Sequence, residues 1–313
     1  MTHQWGREKI SMRVDVVIIG GGFAGTSAAI TLARANRSVA LVDSHQPRNR
    51  FSEHSHGVLG FDSASPIQML ESGRQEFQSF GGEVIPETAK SLMPAEGHSH
   101  RWTTELESDE VVYSRHVIVA TGITDKLPDI PGLEQLWGNR VFHCPYCHGY
   151  EVKNKNLAVI GGKNPPFTFR IAKLLTKWTD RVTFYPHGLE LSQEEKRLME
   201  SLGITIEPNL VQGVRESERF DGGVVLDVGQ EKKEYEACFT GPEFVPNDSI
   251  LKQAGCAVEH GWVKEDSGMT SLEGVWAAGN VISSPDQMPQ AMGAGAAVAI
   301  KVDQKMFDED ISC

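Results

Sequence analysis

A glycine-rich turn between a strand pattern and a helix pattern constrains the fold of this chain more than any other feature. Residues 14–19 are rich in β-branched residues, as is typical of a buried parallel strand. Gly-Gly-Gly-Phe-Ala-Gly follows at positions 20–25, and small and apolar residues then recur at helical spacing up to residue 35. The next strand pattern, 38–42, ends in Asp43, which lies 23 positions beyond the first glycine. This is G-x-G-x-x-G in the context that a dinucleotide site requires.

The three glycines of this pattern have separate roles. Gly20 allows the tight bend, Gly22 lets the backbone approach a pyrophosphate without a Cβ, and Gly25 lets helix and strand pack closely. The helix N-terminus then faces the phosphates, and Asp43 can accept hydrogen bonds from a ribose. The sequence therefore predicts a dinucleotide site, in preference to a merely structural glycine turn.

A second strand–turn–helix pattern begins near residue 156. Residues 157–160 enter the turn Gly-Gly-Lys-Asn-Pro-Pro at 161–166, a helix pattern covers 167–176, and a strand pattern follows at 181–185. The repeated order predicts an α/β protein with two Rossmann-like nucleotide-binding domains, the second inserted into the first. The predicted segments are an N-terminal extension (1–13), a discontinuous first domain (14–123 and 243–313) and an insert (124–242).

Composition limits the partners and the compartment. The formal net charge is −12 and no Lys/Arg cluster interrupts it, so nucleic acid and anionic membranes are poor partners. No apolar signal-peptide core is apparent near the N-terminus, and the apolar run of residues 14–35 is broken by glycines, which argues against a membrane span. The five cysteines contain only one close pair, which does not suggest a secreted disulfide framework. We therefore expect a cytoplasmic protein.

That pair is Cys144-Pro145-Tyr146-Cys147. Two thiols at this spacing can close and reopen a small disulfide loop, which is redox chemistry. Zinc sites use the same spacing, but they need further ligands, and the other cysteines stand singly. His143 and His148 flank the pair, so a compact Cys/His metal site is the less favoured alternative, and no metal is predicted.

Together with Ala120-Thr121-Gly122, Gly279-Asn280-Val281 and Gln290-Ala291, these motifs follow the order seen in low-molecular-weight thioredoxin reductases, which the chain resembles from about residue 14 to 306. The resemblance implies a homodimer, FAD in the discontinuous domain, and a redox-active cysteine pair beside the flavin. The FAD-binding residues that it implies are Gly20, Gly22, Ala24, Gly25, Asp43, Arg48, Asn49, His56, Thr121, Gly122, Asn280, Gln290 and Ala291.

One departure from that family concerns the residue after the second cysteine. Thioredoxin reductases typically have Asp there as a proton donor, whereas this chain has His148. The run of residues 144–151, Cys-Pro-Tyr-Cys-His-Gly-Tyr-Glu, instead resembles the FAD-dependent dithiol oxidases that close disulfides in natural products of the gliotoxin, holomycin and romidepsin kind. Pro47-Arg48-Asn49 and His56-Gly57 also resemble that subgroup.

The second glycine turn also departs from the reductases. Lys163 stands where a dinucleotide loop needs Gly, and Pro165 and Pro166 remove two backbone donors from the helix start. No Arg follows the next strand to bind the 2′-phosphate of NADPH. Productive NADP(H) binding is therefore doubtful. Asn280 replaces the usual Asp of the FAD site and can still form hydrogen bonds.

The resemblance assigns the roles. Cys147 faces the flavin, and Cys144 is attacked by a thiolate of a small-molecule dithiol, whose second thiolate then closes the product disulfide, with O2 as the final acceptor. His148, whose ordinary pKa is about 6.5, is the expected base. The participation of His143 and Cys313 stays open. The alternatives are an NADPH-dependent or NADP+-linked disulfide oxidoreductase, and a flavoprotein sensor without turnover.

Overall fold

The computed structural model describes residues 11–95, 101–283 and 285–312. Most of the predicted N-terminal extension, as well as Cys313, lies outside the described residues. The strands are β1 (Ser11–Ile19), β2 (Val39–Val42), β3 (Glu83–Ile85), β4 (Ala89–Pro94), β5 (Trp102–Leu106), β6 (Val111–Val119), β7 (Ile123–Lys126), β8 (Val141–Phe142), β9 (Leu157–Ile160), β10 (Val182–Tyr185), β11 (Thr205–Ile206), β12 (Val211–Glu216), β13 (Val224–Val228), β14 (Glu231–Tyr235), β15 (Ala237–Thr240), β16 (Glu243–Pro246), β17 (Val258–Glu259), β18 (Trp262–Val263), β19 (Glu265–Asp266), β20 (Met269–Thr270) and β21 (Val275–Ala277). The helices are α1 (Phe23–Arg34), α2 (Pro66–Ser79), α3 (Pro145–His148), α4 (Pro165–Leu175), α5 (Gln193–Ser201), α6 (Ser249–Ala254) and α7 (Met288–Ile311).

The chain divides into two compact units. Among the described residues, unit 1 comprises 11–50, 67–95, 101–124, 246–283 and 285–312, and unit 2 comprises 51–66 and 125–245. Residues 51–66 fall in the predicted first domain, whereas their contacts group them with the cysteine-bearing unit.

Unit 1 is built on a largely parallel sheet. The strand order is β3-β2-β1-β6-β21-β20-β19, and the β4–β5 hairpin pairs with β6. Because side chains alternate along a strand, β1 supplies two cores. Val16 and Ile18 pack with α1 and α7 on one face, and Val17 and Ile19 pack with apolar residues of β5 and α6 on the other.

Unit 2 has a five-stranded parallel sheet in the order β11-β10-β9-β15-β8, together with the antiparallel sheet β12-β13-β14. Val159 on β9 packs with residues of α4 on one face of the parallel sheet. Ala158 and Ile160 pack with residues of the antiparallel sheet on the other face. Both units therefore have the helix-on-parallel-sheet layering of α/β folds.

Two elements start earlier than their sequence patterns indicate. β1 begins at Ser11, within the predicted extension, because Ser11 to Arg13 also pair with β6. α4 begins at Pro165, and proline is tolerated at the first helical position, where its missing N–H has no partner to lose. Among helices formed by the described residues, none combines the length and apolar character that a bilayer span requires.

Candidate active site

The carboxyl ends of four parallel strands of unit 1 lie in one row. Ile19 is in register with Val42 and with Val119, and Val119 is in register with Ala277. The residues that follow these strand ends therefore share one edge of the sheet, which is where open α/β sheets bind their ligands. They include six of the thirteen residues that the resemblance assigns to FAD, namely Gly20, Gly22, Asp43, Thr121, Gly122 and Asn280.

The glycine turn of unit 1 leaves room for a phosphate. A Cβ on Gly25 would lie 1.8 Å from the Gly20 carbonyl oxygen, so Gly25 is required by close packing. Gly20 itself has φ +107°, a conformation that favours glycine. A Cβ on Gly22 would meet no atom within 4 Å, so this glycine borders open space.

The N-terminus of α1 also presents unused donors. No side chain caps this helix, and the N–H groups of Gly22, Phe23 and Ala24 have no acceptor among the described residues. Free amides at a helix N-terminus beside an open glycine position form an anion-binding cradle. The turn therefore fits the pyrophosphate of FAD.

The polar side chains around this cradle are engaged locally. Arg74 Nη1 donates to Asp43 Oδ2 at 3.1 Å, and the His45 N–H donates to Asp43 Oδ1 at 2.9 Å. Asn280 Oδ1 accepts the N–H of Asp286 at 2.7 Å. Arg74 could not be predicted as a partner of Asp43, because it lies on α2, which carries no recognisable motif.

The remaining predicted FAD residues of unit 1 occupy three settings. Gln290 Oε1 caps the start of α7 by accepting the N–H of Gln287 at 2.9 Å. Ala24 and Ala291 belong to the apolar core between α1 and α7. Arg48 and Asn49 start a short 3-10 turn.

The cysteine pair of unit 2 lies at the start of α3. Cys144 and Cys147 form a disulfide, with their Cα atoms 5.2 Å apart. Cys144 is the N-cap residue, and its Sγ accepts the N–H of Cys147 at 3.2 Å. A hydrogen bond to sulfur favours its thiolate form, so Cys144 is suited to leave as a thiolate when a disulfide that contains it is attacked.

Gly149 explains how α3 packs. A Cβ at this position would lie 2.4 Å from the Pro145 carbonyl oxygen and 2.7 Å from the Trp178 ring. Glycine at this position therefore lets the end of α3 approach the Trp178 ring.

His148 lies in an apolar environment. Its ring stacks on Phe142 with centroids 4.2 Å apart, and its buried Nδ1 has no hydrogen-bond partner within the described chain. Burial, and then the charge of His56, lowers the pKa of His148 to about 4. The sequence-based expectation of an ordinary pKa is thus wrong, because it contained no information on burial. His148 is unprotonated at neutral pH but is a weaker base than expected.

A pocket of about 690 Å³ within unit 2 reaches the disulfide at Cys147. Its other lining residues are His56, Gly57, Asp62, Ser63, Tyr146, Tyr150 and Glu151. His56 thus lines this pocket, with its ring edge-on to that of His148 at 6.3 Å between centroids, and it belongs to unit 2, whereas the other predicted FAD residues belong to unit 1.

The second glycine turn has a different environment from the first. Cβ atoms on Gly161 and Gly162 would lie 1.9 Å from the Pro186 carbonyl oxygen and 2.1 Å from that of Gly241, so packing alone accounts for both glycines. Asn164 Oδ1 caps α4 by accepting the N–H of Phe167 at 3.2 Å.

The other candidate ligands have structural surroundings. Cys238 and Cys256 are buried free thiols, and burial raises the pKa of both. His143 stacks on Trp137 at 5.5 Å between centroids. Within residues 11–95, 101–283 and 285–312, no group of three or more His, Cys, Asp or Glu side chains is arranged to hold a metal ion.

The chain belongs to the pyridine nucleotide-disulphide oxidoreductase family, which it matches over residues 14–295. It is 27% identical to the thioredoxin reductase sirT of Leptosphaeria maculans over 95% of this chain and 96% of that protein. It is 33% identical to the thioredoxin reductase tcpT of Claviceps purpurea (strain 20.1), but this match spans only 56% of each chain. The crystal structure of HlmI has a TM-score of 0.90 and 36% identity, with 100% of this chain and 96% of that chain covered.

These comparisons confirm the resemblance to thioredoxin reductases and the α/β fold with two Rossmann-like domains. The protein is an oxidoreductase of a family that uses FAD and typically NADPH. The cradle at α1 fits FAD, whereas the start of α4 has fewer donors for a second dinucleotide.

Proposed function

We propose that this protein is an FAD-dependent dithiol oxidase, which closes an intramolecular disulfide in a small-molecule dithiol and uses O2 as the final electron acceptor. The observation that carries the proposal is the difference between the N-termini of α1 and α4, because it bears on where the electrons come from. A reductase of this family takes electrons from NADPH, whereas a dithiol oxidase takes them from its substrate.

The start of α4 is poor in donors for a nicotinamide dinucleotide. Pro165 and Pro166 have no N–H group, and the next N–H, of Phe167, is taken by Asn164. At α1, by contrast, the N–H groups of Gly22, Phe23 and Ala24 have no acceptor in the part of the chain that the structure describes. A pyrophosphate would therefore bind strongly at unit 1 and weakly at unit 2.

The position of the NADPH 2′-phosphate supports the same conclusion. The strand β10 is followed by Pro186, His187 and Gly188, so no Arg is available there. His187 Nδ1 accepts the N–H of Val211 at 3.2 Å, which commits that imidazole to the fold. Lys163 is exposed and is the only cation of the turn at 161–166.

The disulfide then serves as the oxidant. His148 accepts the proton of the first substrate thiol, and the resulting thiolate attacks Cys144 Sγ. The Cys144–Cys147 bond breaks, and Cys147 leaves as a thiolate. The second substrate thiolate attacks the substrate sulfur of the mixed disulfide, so that the product disulfide forms and Cys144 leaves as a thiolate.

These reaction steps transfer two electrons from the substrate to the cysteine pair and release two protons. The hydrogen bond from the Cys147 N–H to Cys144 Sγ stabilises the second leaving group. FAD held by the residues of unit 1 would supply the acceptor for this electron pair, with O2 as the final oxidant and peroxide as its product.

An anaerobic titration tests the proposal. We expect dithiothreitol to bleach the flavin absorbance of the purified protein within seconds, NADPH to leave it unchanged, and admitted air to restore it with one peroxide per dithiol. Cys144→Ser and Cys147→Ser should both abolish the bleaching, whereas Cys256→Ser, which removes a buried thiol of unit 1, should not. Rapid bleaching by NADPH would refute the proposal.

That last outcome would favour the second candidate, an NADPH-dependent disulfide reductase, which the names of the relatives sirT and tcpT support. Flavin that is reduced once by a dithiol but shows no repeated turnover in air would indicate a sensor. We also propose the homodimer that is typical of thioredoxin reductases, and gel filtration of the purified protein tests it.

A further inference from the structure

Oxidation of a dithiol releases two protons, and His148 can accept only one of them. It is also a weak base because burial disfavours its charged form. A site that oxidises a dithiol in the proposed way therefore needs a second proton acceptor close to the disulfide. Among the described residues, the pocket that reaches the disulfide at Cys147 is lined by one imidazole, that of His56, whereas the His143 ring stacks on Trp137.

A short loop fixes the position of His56. Residues 55–64 are closed at their base by a bridge between Ser55 and Ala64, with the Ser55 N–H donating to the Ala64 carbonyl at 2.9 Å. Gly57 and Gly60 adopt positive φ angles, which let the loop turn back on itself. The closure brings Asp62 opposite His56, although neither residue belongs to a recognisable catalytic motif.

Two carboxylates orient the His56 ring. Its Nδ1 lies 3.0 Å from Asp62 Oδ1 and 3.5 Å from Glu151 Oε1, on the turn after α3. Nδ1 therefore carries a proton toward the carboxylates, and Nε2, which has no hydrogen-bond partner among the described residues, keeps its lone pair. The hydrogen bond from His56 lowers the pKa of the Asp62 carboxyl, which keeps it ionised as an acceptor.

Exposure to solvent rises in the order His148, His56, Glu151 and Asp62. The His56 side chain is 15% exposed, that of Glu151 37% and that of Asp62 77%, while Nδ1 of His148 is fully buried. The titratable groups facing His56 are thus Asp62 on its own loop, and His148 and Glu151 from the α3 segment, with Tyr146, Tyr150 and Cys147 lining the pocket. A proton accepted by His56 has a direct route to water.

We propose that His56, held by Asp62 and Glu151, is the second general base of the site and accepts the proton of the second substrate thiol. The inference rests on the proposed dithiol oxidation. Each substrate thiol loses one proton, the first to His148 and the second to His56. The two electrons removed from the substrate sulfurs are then held by Cys144 and Cys147 as thiolates. Two imidazolium ions then neutralise two thiolates.

The test measures reduction of the enzyme disulfide in the holoprotein. Dithiothreitol is added anaerobically at pH 6 to 9, samples are quenched with N-ethylmaleimide, and the newly alkylated cysteines are counted by mass spectrometry. We expect His56→Gln to lower the rate about 100-fold at pH 7, which is typical of a lost general base. The deficit should shrink to less than about threefold at pH 9, where more of the dithiol is already thiolate.

Two further variants sharpen the test. Asp62→Asn changes an exposed side chain, keeps the fold and should lower the rate at pH 7 about tenfold, because the imidazolium loses its partner. His54→Gln is the matched control, since His54 lies in the adjoining part of the chain, contacts the Ser63 carbonyl at 3.1 Å and does not line the pocket. Its rate should equal that of the wild type.

The outcomes separate the two proposals. If the wild type is reduced by dithiothreitol but His56→Gln and Asp62→Asn follow its pH profile, His56 is not a base and the inference is wrong, while dithiol oxidation stands. If dithiothreitol does not reduce the wild-type disulfide, the proposed function itself fails.

Discussion

Protonation of His148 gives the most direct test of the site, because burial lowers the pKa of this imidazole by a large amount. Burial against Phe142 and the charge of His56 lower that pKa from 6.5 to about 4. An ordinary imidazole is almost fully protonated at pH 5, whereas His148 should be protonated in only about one molecule in ten.

The same shift predicts how stability depends on pH. The folded protein favours unprotonated His148, so the unfolded state binds more protons below pH 6.5. The contribution of His148 to the free energy of unfolding is therefore complete above pH 6.5 and is lost as the pH falls through about 4. The shift corresponds to ~3 kcal/mol in total, of which roughly 2 kcal/mol is lost between pH 7 and pH 5.

Two measurements check these values. Histidine Cε1–H resonances followed by NMR from pH 8 to 4.5 give the titration directly, and the resonance missing in His148→Gln identifies the residue. Urea unfolding at pH 7 and pH 5 should show that the wild type loses roughly 2 kcal/mol more than His148→Gln. A His148 resonance that is more than half protonated at pH 5.5 would refute the reasoning.

Three other predictions follow from the space around individual glycines and from a buried hydrogen bond. Gly22→Ala should fold normally but lose FAD at least tenfold, measured by flavin absorbance, whereas Gly25→Ala should fail to fold, because its Cβ would lie 1.8 Å from a turn carbonyl. The buried hydroxyls of Tyr185 and Tyr235 lie 2.7 Å apart, so each single Phe variant should lose ~1–3 kcal/mol, and the double variant less than their sum; additive losses in urea unfolding would contradict this. Gly149→Ala should slow dithiol oxidation at least tenfold at unchanged FAD content, because a Cβ there would lie 2.7 Å from a tryptophan ring, and an unchanged stopped-flow rate would contradict it.

The elements that the sequence predicted well are those whose residues are close along the chain. The strand, turn and helix from β1 to α1 depend on local glycine geometry, and the C-x-x-C pair depends on spacing within one turn. Gly25 illustrates this, since its role in packing follows from the motif and appears in the structure as a contact with the same turn.

The contacts that could not be predicted are those between residues that lie far apart along the chain. His56 and Glu151 are 95 positions apart, and neither identity indicates that a carboxylate would lie 3.5 Å from Nδ1. The pKa of His148 depends on Phe142, whose apolar side chain carries no motif. The engagement of Asp43 by Arg74 likewise depends on how α2 packs. Burial and long-range pairing are properties of the fold and leave little trace in local patterns.

The grouping of residues 51–66 with the cysteine-bearing unit has a consequence for recombination between relatives. A chimaera that exchanges only the contiguous segment 125–245 would import a foreign α3 but keep the native loop that presents His56. Exchange of the cysteine-bearing unit of this chain therefore requires two crossover windows, one around 51–66 and one around 125–245. With His56 acting as proposed, hybrids made with only the second window should bind flavin yet oxidise dithiols slowly.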